Sequence, residues 1–127
     1  MNNSIGYYDP KRFERLPDGW IRDLREEREH GPSSPTILGP EERKKFCEDM
    51  GGIEPEAHES ASIVNYEGEN AFFPIFADTK TDDGYATRTE IAWHKSGVRV
   101  VNYVSGLVHC YNKANRYYVR PVRAIND

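Results

Sequence analysis

Along the chain, the densest runs of β-branched and aromatic residues lie in its last third, over residues 85–123. Two runs there, residues 98–104 and residues 107–112, are rich in Val and Tyr and have the composition of β-strands. Ser105 and Gly106 separate them, and a short link that contains Gly between two such runs is typical of a hairpin turn. The pattern therefore predicts an antiparallel hairpin.

The hairpin strands carry more polar and aromatic side chains than a buried strand usually does. Tyr, His and Asn on a rigid sheet are typical of adaptable binding surfaces. The same side chains also suit the solvated face of an antiparallel sheet, so both interpretations stay open. These residues are Asn102, Tyr103, His109, Tyr111 and Asn112.

Two further features belong to the same region. Residues 117–120 predict a third strand, and Pro121 after them places it at a sheet edge or a bulge, because proline cannot donate to a ladder. Trp93 lies between two predicted strands. A tryptophan at such a position is either an anchor for a ligand or a core residue, and the sequence does not decide between them.

The first half of the chain predicts a strand and two helices. Residues 4–8 can form a short first strand, and residues 20–29 place Trp20, Ile21 and Leu24 on one side of a helix. Three prolines in residues 30–40 forbid a regular element there.

The second helix has clear start and stop signals. Pro40 suits a first helical turn, and Gly51 with Gly52 supplies a left-handed end, so a helix is predicted over residues 40–50. Phe46 and Met50 lie four residues apart and should face the core.

The middle of the chain contains shorter elements. Residues 53–62 predict a loop, residues 63–66 a strand, and the apolar residues 71–76 a buried strand. Helices early and antiparallel strands late imply the α+β class, and the length of 127 residues predicts one domain over residues 1–127.

Composition limits the possible partners. No apolar run approaches membrane-spanning length, and residues 1–10 lack a basic segment followed by an apolar one. We therefore expect no membrane insertion, no signal peptide, and a cytoplasmic or phage-associated protein. The net charge of −4 argues against nucleic acid as a general partner. From Gly84 onward, however, five Arg and two Lys outnumber one Glu and one Asp, so a basic face could meet an acidic partner.

Motifs that carry chemistry are weak. The four histidines have no metal-ligand spacing, and the acidic turns near Glu67 and at Asp82-Asp83 lack the ligand pattern of a calcium site. Cys47 and Cys110 are too few for a disulfide framework and are interpreted as free thiols, with one long-range disulfide as the alternative. We predict no metal and no cofactor.

Three segments of the C-terminal half resemble a known family. They are NAFFP at residues 70–74, GYATRTE at residues 84–90, and SGLV at residues 105–108 followed by YVRPVR at residues 118–123. Together they resemble the bacterial C-type-lectin-like domains of adhesin C-termini and of the variable proteins of diversity-generating retroelements. Ala86 and Arg88 depart from the usual residues of the second segment, and the first half of the chain lacks the usual opening of the family.

The resemblance implies a C-type-lectin-like fold, with two helices on a small twisted antiparallel sheet and the N-terminal strand beside the C-terminal strand. It also implies non-catalytic recognition by an exposed hairpin face, which a retroelement could diversify. A protein is the expected ligand and a glycan the second choice, while Arg120 and Arg123 belong to the frame. The expected ligand-binding residues are Arg88, Trp93, His94, Asn102, Tyr103, His109, Tyr111, Asn112 and Asn115.

The sequence leaves two alternative functions. The first is a small phage or mobile-element effector that blocks an intracellular host protein or nucleic-acid complex through the basic last third. The second is an enzyme, because the sulfatase-activating enzymes share a related fold and use reactive cysteines. Cys110 has no second cysteine nearby in the sequence, so we predict no enzymatic activity.

Overall fold

The computed structural model of the protein describes residues 4–125. These residues form seven strands, two α-helices and one 3-10 turn, which are arranged in two antiparallel sheets. The predicted α+β class is confirmed at this level, although one sheet was expected. The strands are β1 (Phe13–Arg15), β2 (Ile21–Asp23), β3 (Arg28–His30), β4 (Tyr85–Ile91), β5 (His94–Val101), β6 (Val108–Asn112) and β7 (Val122–Ala124). The helices are α1 (Pro40–Asp49) and α2 (Ala57–Ala61), and the 3-10 turn is Pro74–Phe76.

The first sheet has the strand order β1-β2-β3-β7. Its middle hairpin replaces the helix that was predicted over residues 20–29, and that prediction is wrong. Ile21 and Asp23 are buried while Arg22 between them is only partly buried, which is the two-residue period of a strand. Asp23 Oδ1 accepts hydrogen bonds from the backbone N–H groups of Arg25 and Glu26, and this side chain therefore builds the turn that ends β2.

A buried ion pair joins this sheet to the middle of the chain. Arg12 and Asp23 are both fully buried, and the Arg12 guanidinium donates to the two carboxylate oxygens at 3.0 and 2.8 Å. Arg12 also donates to the carbonyl of Ser62 at 2.7 Å. On the neighbouring strands, Glu29 accepts from Arg22 and from Arg123, each at 2.7 Å.

The second sheet has the order β4-β5-β6. Its inner face packs on an apolar core that Tyr85, Val101 and Tyr103 share with Ile63 and Phe76. Ile21 of the first sheet belongs to the same core, so the two sheets bury one common set of side chains.

The predicted hairpin of the last third is confirmed. β5 and β6 pair over five consecutive residues without a bulge, and residues 102–107 connect them. Gly106 has φ +75°, a conformation that favours glycine. The connection is longer than Ser105-Gly106 alone because Asn102 Oδ1 accepts from the N–H groups of Val104 and Ser105 and folds a turn of its own.

The helix predicted over residues 40–50 is confirmed, and Gly51 after it has φ +89°. The side chains that it buries were predicted wrongly. Arg43 and Cys47 are buried, whereas Phe46 and Met50 are only partly buried, since α1 turns its Arg43 row toward the last third of the chain.

Five other segments differ from their prediction. Residues 4–8 form bends and turns rather than a strand, and residues 53–62 contain α2 rather than only a loop. Residues 63–66 and 71–76 meet in one isolated bridge between Val64 and Phe72, and Pro74 begins the 3-10 turn there. Residues 117–120 make only isolated bridges, and the closing strand is β7 instead.

The two ends of the described chain lie near each other. Ile5 and Ile125 line the same surface depression, although no strand brings them there. β7 pairs with β3, while β1 lies at the opposite edge of the first sheet, so the expected pairing of the first and last strands is wrong. The first three residues of the segment in which no signal peptide is expected lie outside the described residues.

Two further expectations concern membrane-spanning helices and the state of the two cysteines. Within residues 4–125, no helix is long and apolar enough to cross a membrane. Both cysteines are free, with Cys47 buried and Cys110 exposed, which excludes the disulfide alternative.

Candidate binding cleft

A cleft of about 450 Å³ opens on one face of the second sheet. We call it the Tyr111 cleft. β5 and β6 form its floor, the loop of residues 81–84 forms one wall, and residues 115–117 form the other. It is lined by Thr81, Asp82, Asp83, Gly84, Val100, Asn102, Tyr111, Asn115, Arg116 and Tyr117.

A row of aromatic rings crosses the floor. His109 and Tyr111 lie two residues apart on β6 and therefore share one face of the sheet, with ring centroids 5.5 Å apart. The Tyr111 ring stacks on Tyr117 at 6.2 Å, and Tyr117 in turn packs on the buried Val98 and Val100. The exposed aromatic surface therefore stands on an aliphatic base.

The acidic wall is held close to the sheet. Gly84 is required there, because a Cβ atom at this position would lie 2.3 Å from Val100 Cγ1. Asp82 Oδ1 accepts from the Tyr118 hydroxyl at 2.9 Å, and Asp83 Oδ1 accepts from the Gly84 N–H at 2.7 Å. The loop thus brings two carboxylates to the rim of the cleft.

Helix α1 positions the opposite wall through Arg43. Its guanidinium donates to the carbonyls of Asn115 at 3.0 Å, Lys113 at 3.1 Å and Leu38 at 2.7 Å. Arg43 is almost fully buried, and this burial lowers the pKa of its guanidinium, although the nearby Glu54 carboxylate opposes the shift. Removal of this side chain would release the loop that carries Asn115.

The structure brings five of the expected binding residues into one area. Asn102, Tyr111 and Asn115 line the Tyr111 cleft, and His109 stacks beside Tyr111. The carbonyl of Asn112 accepts from the Asn115 N–H at 3.1 Å, so Asn112 shapes the wall from just outside the cleft.

The other four expected residues lie elsewhere. Trp93, which is 80% exposed, lies in the turn between β4 and β5, and His94 is the first residue of β5, so the core interpretation of Trp93 is wrong. Arg88 lies beside α2, with its guanidinium 3.7 Å from Glu56 and 3.8 Å from Glu59. Tyr103 is only 3% exposed and donates to the carbonyl of Ser60 at 2.6 Å. It belongs to the core, and its expected place on the ligand face is therefore wrong.

Sequence reasoning missed five residues that build the cleft. The sequence indicates only an acidic turn at Asp82-Asp83 and a strand start at Tyr117, and it counts Arg116 among the basic residues of the last third. Arg43 was missed because a charged residue in the middle of a helix is usually exposed. The one signal that could have found it is its position: Arg43 and Cys47 are four residues apart on one helix face.

Five of the seven basic residues of the last third lie within 4 Å of a carboxylate of their own chain. Arg120 pairs with Asp78 at 2.8 Å and Arg123 with Glu29 and Asp18 at 2.7 and 2.8 Å, which agrees with their expected place in the frame. Arg116 lies 3.4 Å from Glu42. This pairing leaves much less free positive charge than the count of residues indicates.

Among residues 4–125, no group of three or more His, Cys, Asp or Glu side chains is placed to hold a metal ion. Burial raises the pKa of the Cys47 thiol to about 12, so it stays protonated at neutral pH and is a poor nucleophile.

Comparison of the chain with protein-family models, with curated proteins and with solved structures gives no match in any of the three.

Proposed function

We propose that this chain is a non-catalytic recognition domain of the C-type-lectin-like kind that binds a protein ligand in the Tyr111 cleft. The observation that carries the proposal is the meeting of Asn102, Tyr111 and Asn115 in one cleft. The sequence predicts all three as ligand-binding residues. Tyr and Asn provide contact area and adaptable hydrogen bonding at small entropic cost.

A protein ligand fits the cleft best because its walls differ in charge. Asp82 and Asp83 stand on one wall and Arg116 on the other, with Tyr111 between them and half exposed. A loop of a partner protein can offer a cation, an apolar side chain and a carboxylate within a few residues, and so satisfy all three surfaces. A glycan, the second candidate, would use the hydroxyl-binding Asn and Asp groups together with the Tyr111 ring.

A role in recognition agrees with the way the polar groups are used. Asn102, Asp82 and Asp83 each accept hydrogen bonds that hold their own loops in place. Polar groups that hold loops in this way give a binding surface its shape, and this role requires no proton transfer. Docking of an effector through the basic last third has less support, because Arg120 and Arg123 lie beside acidic partners in the same chain.

The proposal can be tested by placing a photo-crosslinking amino acid at Tyr111. The matched control carries the same group at Tyr66, which is exposed and lies outside the cleft. We expect a protein adduct in the expressing cells from position 111 and none from position 66. In the purified complex, Tyr111→Ala should weaken binding tenfold or more, about 1.4 kcal/mol.

Glycan-array binding that Asn115→Ala abolishes would assign the cleft to a glycan instead. Absence of both a protein adduct at position 111 and glycan binding would reject recognition by this cleft.

A further inference from the structure

The outer edge of β6 differs from the opposite edge of its sheet. The β4 edge is covered, since Ala86 N–H donates to the Tyr118 carbonyl and Arg88 N–H to the Pro55 carbonyl. β6 is the last strand on its side, and no described segment pairs with its outer edge.

The pairing with β5 shows which β6 groups point outward. Lys113 N–H donates to the Ser96 carbonyl at one end of the ladder, and Asn102 N–H donates to the Leu107 carbonyl at the other. Hydrogen-bonded pairs recur at every second residue of an antiparallel ladder, so His109 and Tyr111 bond to β5. The backbone N–H and C=O groups of Val108 and Cys110 therefore face away from the sheet.

This edge lacks the features that usually prevent strand addition. Its five residues contain no charge and no proline, and its ladder with β5 has no bulge. Leu107, Val108 and Tyr111 are also exposed, at 57%, 40% and 47%. An edge of this kind is a template for another strand.

We propose that β6 pairs antiparallel with β6 of a second copy of this chain, on a two-fold axis that passes through His109. Val108 of each copy then lies opposite Cys110 of the other, and the two pairs exchange about four backbone hydrogen bonds. Leu107 comes to lie opposite Tyr111, which covers exposed apolar surface on both copies. The two three-stranded sheets become one continuous sheet.

A second copy is the occupant favoured by the strand itself. The strand contains no Asp, Glu, Lys or Arg, so it meets its own copy without like-charge repulsion. The apolar residues also pair with each other across the axis in this register, so the surface is self-complementary. This inference does not depend on the proposed function of the Tyr111 cleft.

Neighbouring registers are excluded by groups that are already in use. An axis at Cys110 would need the carbonyl of Asn112, which already accepts from the Asn115 N–H at 3.1 Å and the Tyr117 hydroxyl at 3.0 Å. An axis at Val108 would need the Gly106 N–H, which donates to the Asn102 carbonyl at 2.8 Å.

Sedimentation of the purified protein tests the association. We expect a species of twice 14.6 kDa, in equilibrium with monomer. Val108→Lys should weaken the dimer at least tenfold, because it adds charge to the edge, whereas Ala92→Lys, an exposed change in the β4–β5 turn, should not. A wild-type protein that stays monomeric up to about 1 mM, or a dimer that both variants leave unchanged, would overturn the proposal.

Disulfide trapping tests the register. Val108→Cys places the new thiol opposite Cys110 of the other copy, at a Cα separation of about 5.5 Å that suits a disulfide. We expect rapid cross-linking of this variant under mild oxidation and little in the matched double variant Val108→Cys/Cys110→Ala. Cys47 does not interfere because it is buried. Equal cross-linking of the two variants would refute an axis at His109.

Discussion

The two sheets of this protein are stabilised in different ways. The first sheet consists of three-residue strands and buries charged side chains, above all Arg12, Asp23 and Glu29. The second sheet has strands of five to eight residues and buries aliphatic and aromatic ones, such as Val100 and Val101. Short strands supply little apolar area, so the first sheet depends on directional contacts, whereas the second depends on packing.

Because of this difference, the two sheets should tolerate substitution to different degrees. A buried charge network tolerates few changes, because loss of one member leaves the other charge without a partner. The outer face and edge of the second sheet carry exposed side chains whose substitution should cost little. We therefore expect the first sheet to tolerate few substitutions at its buried charges, and the outer face of the second sheet to tolerate many.

The largest expected effect comes from breaking the Arg12–Asp23 pair. Arg12→Met should destabilise the protein by about 3–5 kcal/mol, because it leaves a fully buried carboxylate and also removes the hydrogen bond to Ser62. Urea unfolding measures this loss. The control is Lys45→Met, which breaks the exposed pair with Asp49 and should leave the midpoint unchanged. Similar midpoints for both variants would show that the charge network does not hold the first sheet.

An intermediate effect is expected from His30, whose ring is buried among the charges of the first sheet. Burial lowers the pKa of His30 well below 6.5, and the positive charges of Arg120, Arg28 and Arg12 lower it further. Below pH 6.5 the unfolded chain therefore binds a proton that the folded chain does not. The stability of the protein consequently decreases as the pH is lowered. Since the unfolded histidine has a pKa of about 6.5, the loss at pH 5 should be at most about 2 kcal/mol.

His30→Phe should remove this loss, since it keeps a flat ring beside Phe76 without a titrating nitrogen. His58→Gln, at an exposed position, should keep it. The pH range in which His30 lowers the stability differs from the range in which Asp78 does. Burial alone would raise the pKa of Asp78, but the hydrogen bond and charge of Arg120 leave it lowered, so its contribution is lost only below pH 3.8. Unfolding midpoints that stay constant between pH 7 and pH 5 would contradict the His30 prediction.

The smallest expected changes in stability come from substitutions of two aromatic residues next to β5, Tyr103 and Trp93. Tyr103→Phe should cost about 1 kcal/mol, because it removes a buried hydrogen bond to the Ser60 carbonyl. Trp93→Phe should change stability by less than about 0.5 kcal/mol, because the indole is exposed. Thermal unfolding distinguishes them, and a larger loss for Trp93→Phe than for Tyr103→Phe would reverse the assignment of core and surface.

Residue types with strong backbone preferences correctly predicted α1, β5 and β6. Pro40 and Gly51 define α1 through backbone geometry alone, and the Val-rich runs define β5 and β6. Residues 20–29 were misread because Trp20, Ile21 and Leu24 fit a helical period over a short window. The turn that Asp23 builds with the following N–H groups decides against a helix there.

The site was predictable only where it lies on β6 and its flanking turns. Tyr111, Asn102 and Asn115 could be proposed from residue type, since Tyr and Asn are common on binding surfaces. Tyr103 could not be separated from them, because its burial depends on the irregular turn after β5. The walls of the cleft arise from tertiary contacts of Gly84 with Val100 and of Arg43 with the loop at Asn115, which no local pattern encodes.

The two tryptophans of the chain stand in opposite environments, and this makes them separate optical probes. Trp20 is buried beneath the Arg123 guanidinium at 3.9 Å, in a slot that Gly31 and Gly52 leave open. Trp93 stands in water at the tip of the β4–β5 turn, near Arg99. A collisional quencher such as iodide reaches the indole of Trp93 and not that of Trp20. The fluorescence of the unmodified protein can therefore report separately on the first sheet, through Trp20, and on the β4–β5 turn, through Trp93.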